Sequence, residues 1–270
     1  MTPSVSINTL CLESASLYDH AALVARLGAE GIGVTVDQVL ETSVKTSRAI
    51  LRDTGLTPAT MTHRAFGFAT PELTAAGRER LLRTIDVAGE VGALSITMTS
   101  GGRGELRWAE ALQRFADAVA PCAQVARQAG VALALEPTSH LYADASIAYR
   151  LSDLVAIARL ADINLGIDIF ACWFDSDIEE ALVAAAPLCR LVQVSDYVAG
   201  DRGLPCRAVP GDGMIPLHRM IPAILRAGYR GWFDLEIIGP RLAAEGVEEG
   251  LSRAVSRLRS WMPDSPLHRE

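Results

Sequence analysis

The chain has 270 residues, of which 50% are hydrophobic and 21% are charged, and its formal net charge is −7. That length suits one large α/β domain or two small ones, and either would bury a sizeable core. The acidic balance argues against binding nucleic acid or an anionic membrane by bulk electrostatics, and no apolar run reaches the roughly 18 residues of a membrane span.

Short β-rich runs alternate with longer amphipathic runs about every thirty residues, which is the length of a βα unit. The predicted strands are Val5–Thr9, Gly33–Val36, Ala59–His63, Leu94–Thr99, Val131–Glu136, Asn164–Asp168, Leu191–Ser195 and Trp232–Ile237. The clearest predicted helices are Asp19–Leu27, Arg78–Val91 and Trp108–Gln128, where apolar residues recur at helical spacing. The longest irregular stretch, residues 196–214, follows the seventh strand, and loops of that length are usually functional.

Eight strand–helix units in this length predict a (β/α)8 TIM barrel. The strands are nearly continuous apolar runs, such as VALALE and NLGIDIF, as expected for strands that are covered on both faces. A doubly wound sheet is disfavoured because the first strand leads into NTLCLESAS, which lacks the GxGxxG fingerprint. We find no shift in composition and no linker, so the sequence predicts a single domain over residues 1–270.

The cysteines and the N-terminus indicate a cytoplasmic protein. The five cysteines are scattered and form no CxxC pair, which fits reduced thiols better than disulfides or a thiolate zinc site. The N-terminal MTPSVSINTL has neither a basic region nor an apolar signal core, so we expect no export.

Polar side chains interrupt the apolar strands at four successive strand ends. They are Glu136 in LALEP, Asp168 in GIDIF, Gln193 in VQVSD and Glu236 in DLEII. In a TIM barrel these ends meet at one rim, where active sites lie. A lone carboxylate at a strand end is usually a loop cap or an ion-pair partner, but three buried carboxylates on adjacent strands require a shared cation. Oxygen ligands favour Mn²⁺, Mg²⁺ or Co²⁺, and the four residues therefore predict a metal site.

The segments LALEP, GIDIF, VQVSD, PCRAVPGDGMIP and GYRGWFDLEIIGPR resemble the xylose isomerase-like TIM barrels, the sugar phosphate isomerase/epimerase superfamily. Ketose 3-epimerases, inosose dehydratases and 3-dehydroshikimate dehydratases are among its members. The resemblance covers nearly the whole chain and is most specific over residues 131–241. It implies a divalent metal, most often Mn²⁺ with Mg²⁺, Co²⁺ or Zn²⁺ as alternatives, held by Glu136, Asp168, Gln193 and Glu236.

The chain departs from the family pattern at two positions. The third ligand is usually histidine and is Gln193 here, which resembles some 3-dehydroshikimate dehydratases. The family often has a histidine three residues after the aspartate of the sixth strand, and this chain has Ala171 there. The second departure removes one usual substrate contact of the sugar epimerases.

Further residues are candidates for substrate binding. Arg207 in the PCRAVPGDG loop resembles the family's clamp for a substrate oxygen or phosphate, although such a loop arginine can also be merely solvated. His63 and Arg64 follow the third strand, and His140 lies four residues after Glu136. The sequence also predicts a polar contact and an apolar wall of the pocket, from Asn8 and Trp173 respectively.

The resemblance implies proton transfer next to a ketone that the metal polarises, with Glu136 and Glu236 as the acid/base pair. This predicts an isomerase or epimerase of a sugar or related polyhydroxy ketone. A leaving hydroxyl on the next carbon would instead give a dehydratase or lyase of a cyclic keto-acid or keto-polyol. A third alternative is a non-catalytic barrel that binds a small molecule.

Two other enzyme classes fit poorly. Schiff-base aldolases need a lysine on a barrel strand, and the only lysine, Lys45, is predicted in the helix after the second strand. Apurinic endonucleases of the superfamily need many histidines and a basic face, whereas this chain has five histidines and is acidic. We expect a small-molecule substrate, no nucleic-acid or membrane partner, and a homodimer or homotetramer.

Overall fold

The computed structural model describes residues 3–12 and 15–262. The strands are β1 (Ser4–Asn8), β2 (Gly31–Thr35), β3 (Thr57–Thr62), β4 (Ser95–Met98), β5 (Ala132–Leu135), β6 (Asn164–Asp168), β7 (Cys189–Val194), β8 (Asp196–Tyr197), β9 (Arg207–Ala208) and β10 (Trp232–Leu235). Eight of them are parallel and close into a barrel in the order β1, β10, β7, β6, β5, β4, β3, β2. The short strands β8 and β9 form a separate antiparallel pair. The predicted TIM barrel is confirmed.

Helices connect the strands and cover the outside of the barrel. They are α1 (Leu17–Arg26), α2 (Val36–Thr42), α3 (Val44–Thr54), α4 (Pro71–Val91), α5 (Trp108–Gln128), α6 (Leu151–Ala161), α7 (Ile169–Cys172), α8 (Ile178–Ala185), α9 (Leu217–Arg226), α10 (Pro240–Glu245) and α11 (Val247–Ser260). Two 3₁₀ turns occupy Thr9–Cys11 and His140–Tyr142. None of the helices in the described ranges is both long and apolar enough to cross a bilayer.

Most element boundaries differ from the prediction by one or two residues, and two of the differences have clear local reasons. The second strand ends at Thr35, because the Thr35 hydroxyl accepts a hydrogen bond from the backbone of Gln38 at 3.2 Å and caps α2. Helix α4 begins at Pro71, well before the predicted start at Arg78, with Thr70 as its cap. Proline is well suited to the first helical turn, where its missing N–H has no intrahelical partner. The first turns of α4 are largely exposed, so the apolar periodicity appears only further along the helix.

The strands have one apolar and one polar face at the junction of β1 and β10. Ile7 and Leu235 are fully buried in the core cluster of apolar side chains. On the opposite face, Ser6 and Asn8 both donate to the carboxylate of Asp234. Because side chains alternate along a strand, Glu236 lies on the same polar face as Asp234. The hydrogen-bonded side chains of Ser6, Asn8 and Asp234 therefore lie directly below Glu236 on the polar face.

All five cysteines lie in the described part of the chain, and each is a free and buried thiol. Burial raises the pKa of the Cys11 and Cys172 thiols. The Cys172 thiol donates to the carbonyl oxygen of Asp168 at 3.1 Å. A protonated, hydrogen-bonded thiol in this position is chemically inert.

Candidate active site at the carboxyl ends of the strands

The four side chains predicted as metal ligands lie at the carboxyl ends of strands that are neighbours in the barrel. Glu136 directly follows β5, Asp168 ends β6, Gln193 is the penultimate residue of β7, and Glu236 directly follows β10. Asp168 and Gln193 are paired in register across the sheet. The barrel therefore brings these four residues to one rim, as parallel strands must.

The guanidinium group of Arg207 lies among these carboxylates. It donates to both oxygens of Asp168, at 3.0 Å and 2.7 Å, in a two-pronged ion pair. The same group lies 3.3 Å from Oε2 of Glu236, which also accepts a hydrogen bond from Gln193 at 3.0 Å. The Arg207 side chain is only 15% exposed, so its charge is largely removed from water. Arg207 is therefore not a solvated loop arginine, which was the alternative interpretation from the sequence.

The loop that carries Arg207 is fixed at its base by Asp196. The two carboxylate oxygens of Asp196 accept hydrogen bonds of 2.8 to 3.0 Å from four backbone N–H groups, those of Tyr197, Gly211, Gly213 and Ile215. A Cβ atom at Gly213 would approach the carbonyl oxygen of Tyr197 and the Asp196 carboxylate too closely, so only glycine fits there. The irregular sequence after β7 therefore forms an ordered support for Arg207.

Burial shifts the protonation of both glutamates. Burial, followed by the charges of Glu236 and Asp168, raises the pKa of Glu136 to about 8. Burial also raises the pKa of Glu236 to about 7, against the opposing effect of Arg207. Burial lowers the pKa of Arg207, but the adjacent carboxylates outweigh it and hold that pKa above its ordinary value. Two carboxyl groups whose pKa values lie above that of an ordinary glutamate thus stand beside a permanent cation.

A cavity of about 160 Å³ opens onto this cluster. Its polar lining includes Glu136, Asp168, Arg207 and Glu236. The apolar side chains of Phe170, Ile238 and Pro205, together with Tyr142, belong to its wall. A concave site with a few convergent charged groups on an apolar wall is typical of small-molecule binding.

His63 and Arg64 are not brought into this cavity. The imidazole of His63 is buried, and its Nδ1 lies 2.9 Å from the hydroxyl of Thr84 on α4. Burial, helped by the charges of Arg80 and Arg64, lowers the pKa of His63 to about 4. The Arg64 side chain is exposed and pairs with Asp37 at 2.8 Å. In this arrangement His63 contacts the helix layer, and Arg64 contacts a neighbouring helix.

Three further substrate-binding candidates also lie outside the cavity lining. His140 is exposed in the turn after β5. The Trp173 ring lies 4.9 Å from that of Phe174 and 6.4 Å from that of Tyr197. Asn8 is fully buried and donates to Asp234 at 3.0 Å.

The structure adds three residues to the site that the sequence reasoning did not single out. The Phe170 ring lies 4.7 Å from the central carbon of the Arg207 guanidinium, within range of a cation–π contact. The Ser195 hydroxyl accepts a hydrogen bond from Arg207 at 3.1 Å. Asp196 holds the loop. The segments GIDIF and VQVSD contain all three, so attention to every residue after the strand end could have found them.

Two observations bear on whether these residues suit a divalent metal ion. As the side chains stand, no three His, Cys, Asp or Glu residues within the described ranges converge as a ready metal site. However, Oε2 of Glu136 and Oε1 of Gln193 are buried without a hydrogen-bond partner among the described residues. Buried oxygens without partners are costly and call for one. Three carboxylates and an amide oxygen fit a hard cation, provided that the guanidinium gives up its carboxylate contacts.

Solved structures confirm the fold at low sequence identity. Protein SMc04130 from Sinorhizobium meliloti superposes with a TM-score of 0.87 at 24% identity, over 95% of this chain and 98% of that one. The IOLI protein with a bound zinc atom gives a TM-score of 0.85 at 16% identity, covering 97% and 99%. A D-psicose 3-epimerase from Clostridium cellulolyticum, solved with D-tagatose, gives 0.81 at 17% identity, covering 96% and 99%.

Sequence comparison adds the family. No curated protein matches the chain significantly. The family described as Xylose isomerase-like TIM barrel matches residues 21–261, which span seven of the eight barrel strands and the candidate site. The chain therefore belongs to the xylose isomerase-like TIM barrel family.

Proposed function

We propose that the protein is a divalent-metal-dependent isomerase or epimerase of a sugar or a related polyhydroxy ketone. The observation that carries the proposal is the pair of glutamates, half-buried Glu136 and buried Glu236, which line one cavity from strands on either side of β6 and β7. Family membership supports it, as do structural neighbours whose names include D-psicose 3-epimerase and L-ribulose 3-epimerase.

The donor set assigns the residues that would hold the metal. Glu136, Asp168, Gln193 and Glu236 would be its ligands, with Mn²⁺ as the first choice among cations that prefer oxygen. When bound, the metal would polarise the substrate carbonyl and thereby acidify the neighbouring C–H bond. Side chains of this protein would carry out the proton transfer and exclude water.

The two glutamates suit the transfer of a proton at the carbon next to the carbonyl. One carboxylate removes the proton from one face, and the other carboxyl group returns a proton to the other face. Both glutamates line the same cavity, so a substrate bound there would lie within reach of both carboxyl groups. Phe170 and Ile238 exclude water from the reacting carbon on the apolar side of the cavity.

A deuterium-exchange experiment tests the proposal. Chelator-treated protein is incubated in D₂O with a panel of ketoses and cyclic keto-acids, with and without added Mn²⁺. We expect deuterium at the carbon next to the carbonyl and formation of an isomer or epimer, only when Mn²⁺ is present. The chelator-treated sample without metal is the control.

Other products would contradict the proposal in distinct ways. Loss of one water molecule with a new conjugated ultraviolet chromophore would identify a dehydratase. The amide of Gln193 in the usual histidine position makes that reaction the principal alternative. Full activity in verified metal-free protein would refute the role of the metal, and binding without exchange would indicate a non-catalytic barrel.

A further inference from the structure

The guanidinium of Arg207 already occupies oxygens that a hard cation would use. Both oxygens of Asp168 accept its hydrogen bonds, and Oε2 of Glu236 lies 3.3 Å from it. The side chains of Asp168 and Glu236 are 5% and 9% exposed. Buried carboxylates need a positive partner, and the arginine supplies it from within the chain.

The arginine satisfies only part of this cluster. Oε2 of Glu136 and Oε1 of Gln193 have no hydrogen-bond partner in the described structure. One guanidinium among three carboxylates also leaves two negative charges uncompensated when all three are ionised. The unpartnered oxygens and the excess negative charge therefore favour an additional cation at this cluster.

The backbone of Arg207 is fixed while its side chain has room to move. Its N–H donates to the carbonyl oxygen of Ile238 at 3.1 Å, and Arg207 is paired with Tyr197 across β8 and β9. The side chain borders the cavity of about 160 Å³. A long, flexible side chain can turn into such a space by rotamer changes alone. Ser195 and Phe170 hold the guanidinium in its present position.

We propose that Arg207 is a built-in competitor of the metal, which holds Asp168 and Glu236 in the metal-free protein and turns away from them when the metal binds. This inference rests on the proposed function, because it assumes that the metal uses these carboxylates. The competition stabilises the metal-free barrel and weakens metal binding below what the same oxygens would give without the arginine.

Metal titration of chelator-treated variants by calorimetry tests the competition with Mn²⁺ as the probe. R207M should bind Mn²⁺ more tightly than the wild type by about tenfold or more, since a charge-assisted ion pair no longer competes. S195A removes one hydrogen bond from the guanidinium without changing any charge, and should bind about threefold more tightly. R202M is the matched control, because Arg202 is an exposed arginine of the same loop that contacts Tyr197 and Asp201. Its affinity should stay within about twofold.

Thermal unfolding of the metal-free proteins gives a second readout. Metal-free R207M should melt at a lower temperature than the wild type, because Asp168 and Glu236 lose their cation. Saturating Mn²⁺ should reduce that difference, because binding to the folded state alone stabilises it.

The outcomes separate this inference from the proposed function. If R207M and S195A bind Mn²⁺ no more tightly than the wild type, the competition is wrong while the metal site stands. A gain in R207M without a gain in S195A would indicate charge repulsion at a distance and would also overturn it. If no variant and no wild type binds Mn²⁺, both proposals fail. Should R207M fail to fold, the comparison of S195A with R202M decides alone.

Discussion

Glu136 and Glu236 combine burial with neighbouring negative charge, and each keeps its proton at a higher pH than an ordinary glutamate. The two glutamates differ in the partners that surround them. Glu236 has the Arg207 guanidinium and the Gln193 amide within reach, whereas Oε2 of Glu136 has no partner among the described residues. Glu136 consequently carries an oxygen that is available to a partner in the cavity.

Replacing either glutamate by glutamine separates proton transfer from binding. E136Q and E236Q keep a coordinating oxygen and the shape of the side chain but cannot exchange a proton. We expect each to lower turnover by about a hundredfold or more while partly retaining Mn²⁺. Turnover is measured together with metal content. A variant that turns over like the wild type would show that its glutamate is no base.

His63 is a buried neutral imidazole, and its pKa of about 4 predicts a pH dependence of folding. In the unfolded chain its pKa is about 6.5, so between pH 4 and 6.5 the unfolded state binds the proton and the folded state does not. Acid therefore favours unfolding in this window. The wild type should lose up to about 3 kcal/mol of unfolding free energy through His63 as the pH falls across it.

The measurement compares denaturant unfolding of the wild type and H63N at pH 7 and pH 4. Asparagine can keep the hydrogen bond to Thr84 but does not titrate. Between pH 7 and pH 4, H63N should therefore lose less unfolding free energy than the wild type, by up to about 3 kcal/mol. H218N is the matched control, because His218 is exposed on α9. Equal pH dependence in H63N and the wild type would contradict the prediction.

At the scale of elements, one carboxylate accepts hydrogen bonds from several backbone N–H groups of the segment between β7 and α9. Asp196 accepts four backbone hydrogen bonds and thereby fixes the turn over residues 211–215 next to β8. Asparagine at this position has the same size, but its NH₂ group would face two N–H donors. Hydrogen bonds to a charged group contribute about 1.5–3 kcal/mol each, so D196N should lower the unfolding free energy by about 3 kcal/mol.

The control for D196N is D201N in the same loop. Asp201 pairs with Arg241 near the surface, where ion pairs contribute little to stability. Chemical denaturation measures both variants. Similar losses of stability in D196N and D201N would show that the Asp196 contacts do not fix the loop.

The periodicity of the sequence predicts the strands well because both of their faces are buried. The barrel strands fall where apolar runs occur, and the differences concern ends, as at Thr35 and Pro71, where capping hydrogen bonds decide. The strand-end position of Glu136 and Glu236 follows from the same runs. The contact between Arg207 and Asp168 could not be predicted, because the return of the chain through β8 and β9, not local pattern, brings residues 39 positions apart together.

His63 shows the second limit of sequence reasoning. Its position after a strand is compatible with either the mouth of the barrel or the helix layer, since successive side chains of a strand point to opposite faces. In the structure, the His63 imidazole forms a hydrogen bond with Thr84 on α4 and so lies against the helix layer. A shift of one residue in the alternation of the strand would move the His63 side chain from the helix layer to the mouth of the barrel. The sequence near residue 63 has no periodic pattern that distinguishes the two positions.

For the whole molecule, the proposed metal predicts a ligand-dependent stability. Metal that binds only the folded barrel stabilises it by about 2.7 kcal/mol at a hundredfold excess over the dissociation constant. Removal by extended EDTA treatment should lower the melting temperature, and Mn²⁺ should restore it more than Ca²⁺, which prefers more ligands and longer bonds. Melting is followed by calorimetry. Identical curves with and without Mn²⁺ would contradict a metal site in the folded protein.

Because all five thiols are buried in the folded chain, a maleimide can label the protein only while a segment is open. The cysteines fall in five separate segments, so each labelling rate reports a different local opening. Cys206 immediately precedes Arg207, and its rate reports the opening of the loop that carries the guanidinium. Cys122 lies within α5 and reports the helix layer. The chain thus contains its own chemical reporters, which need no engineered label, for the separate motions of its loops and its outer helices.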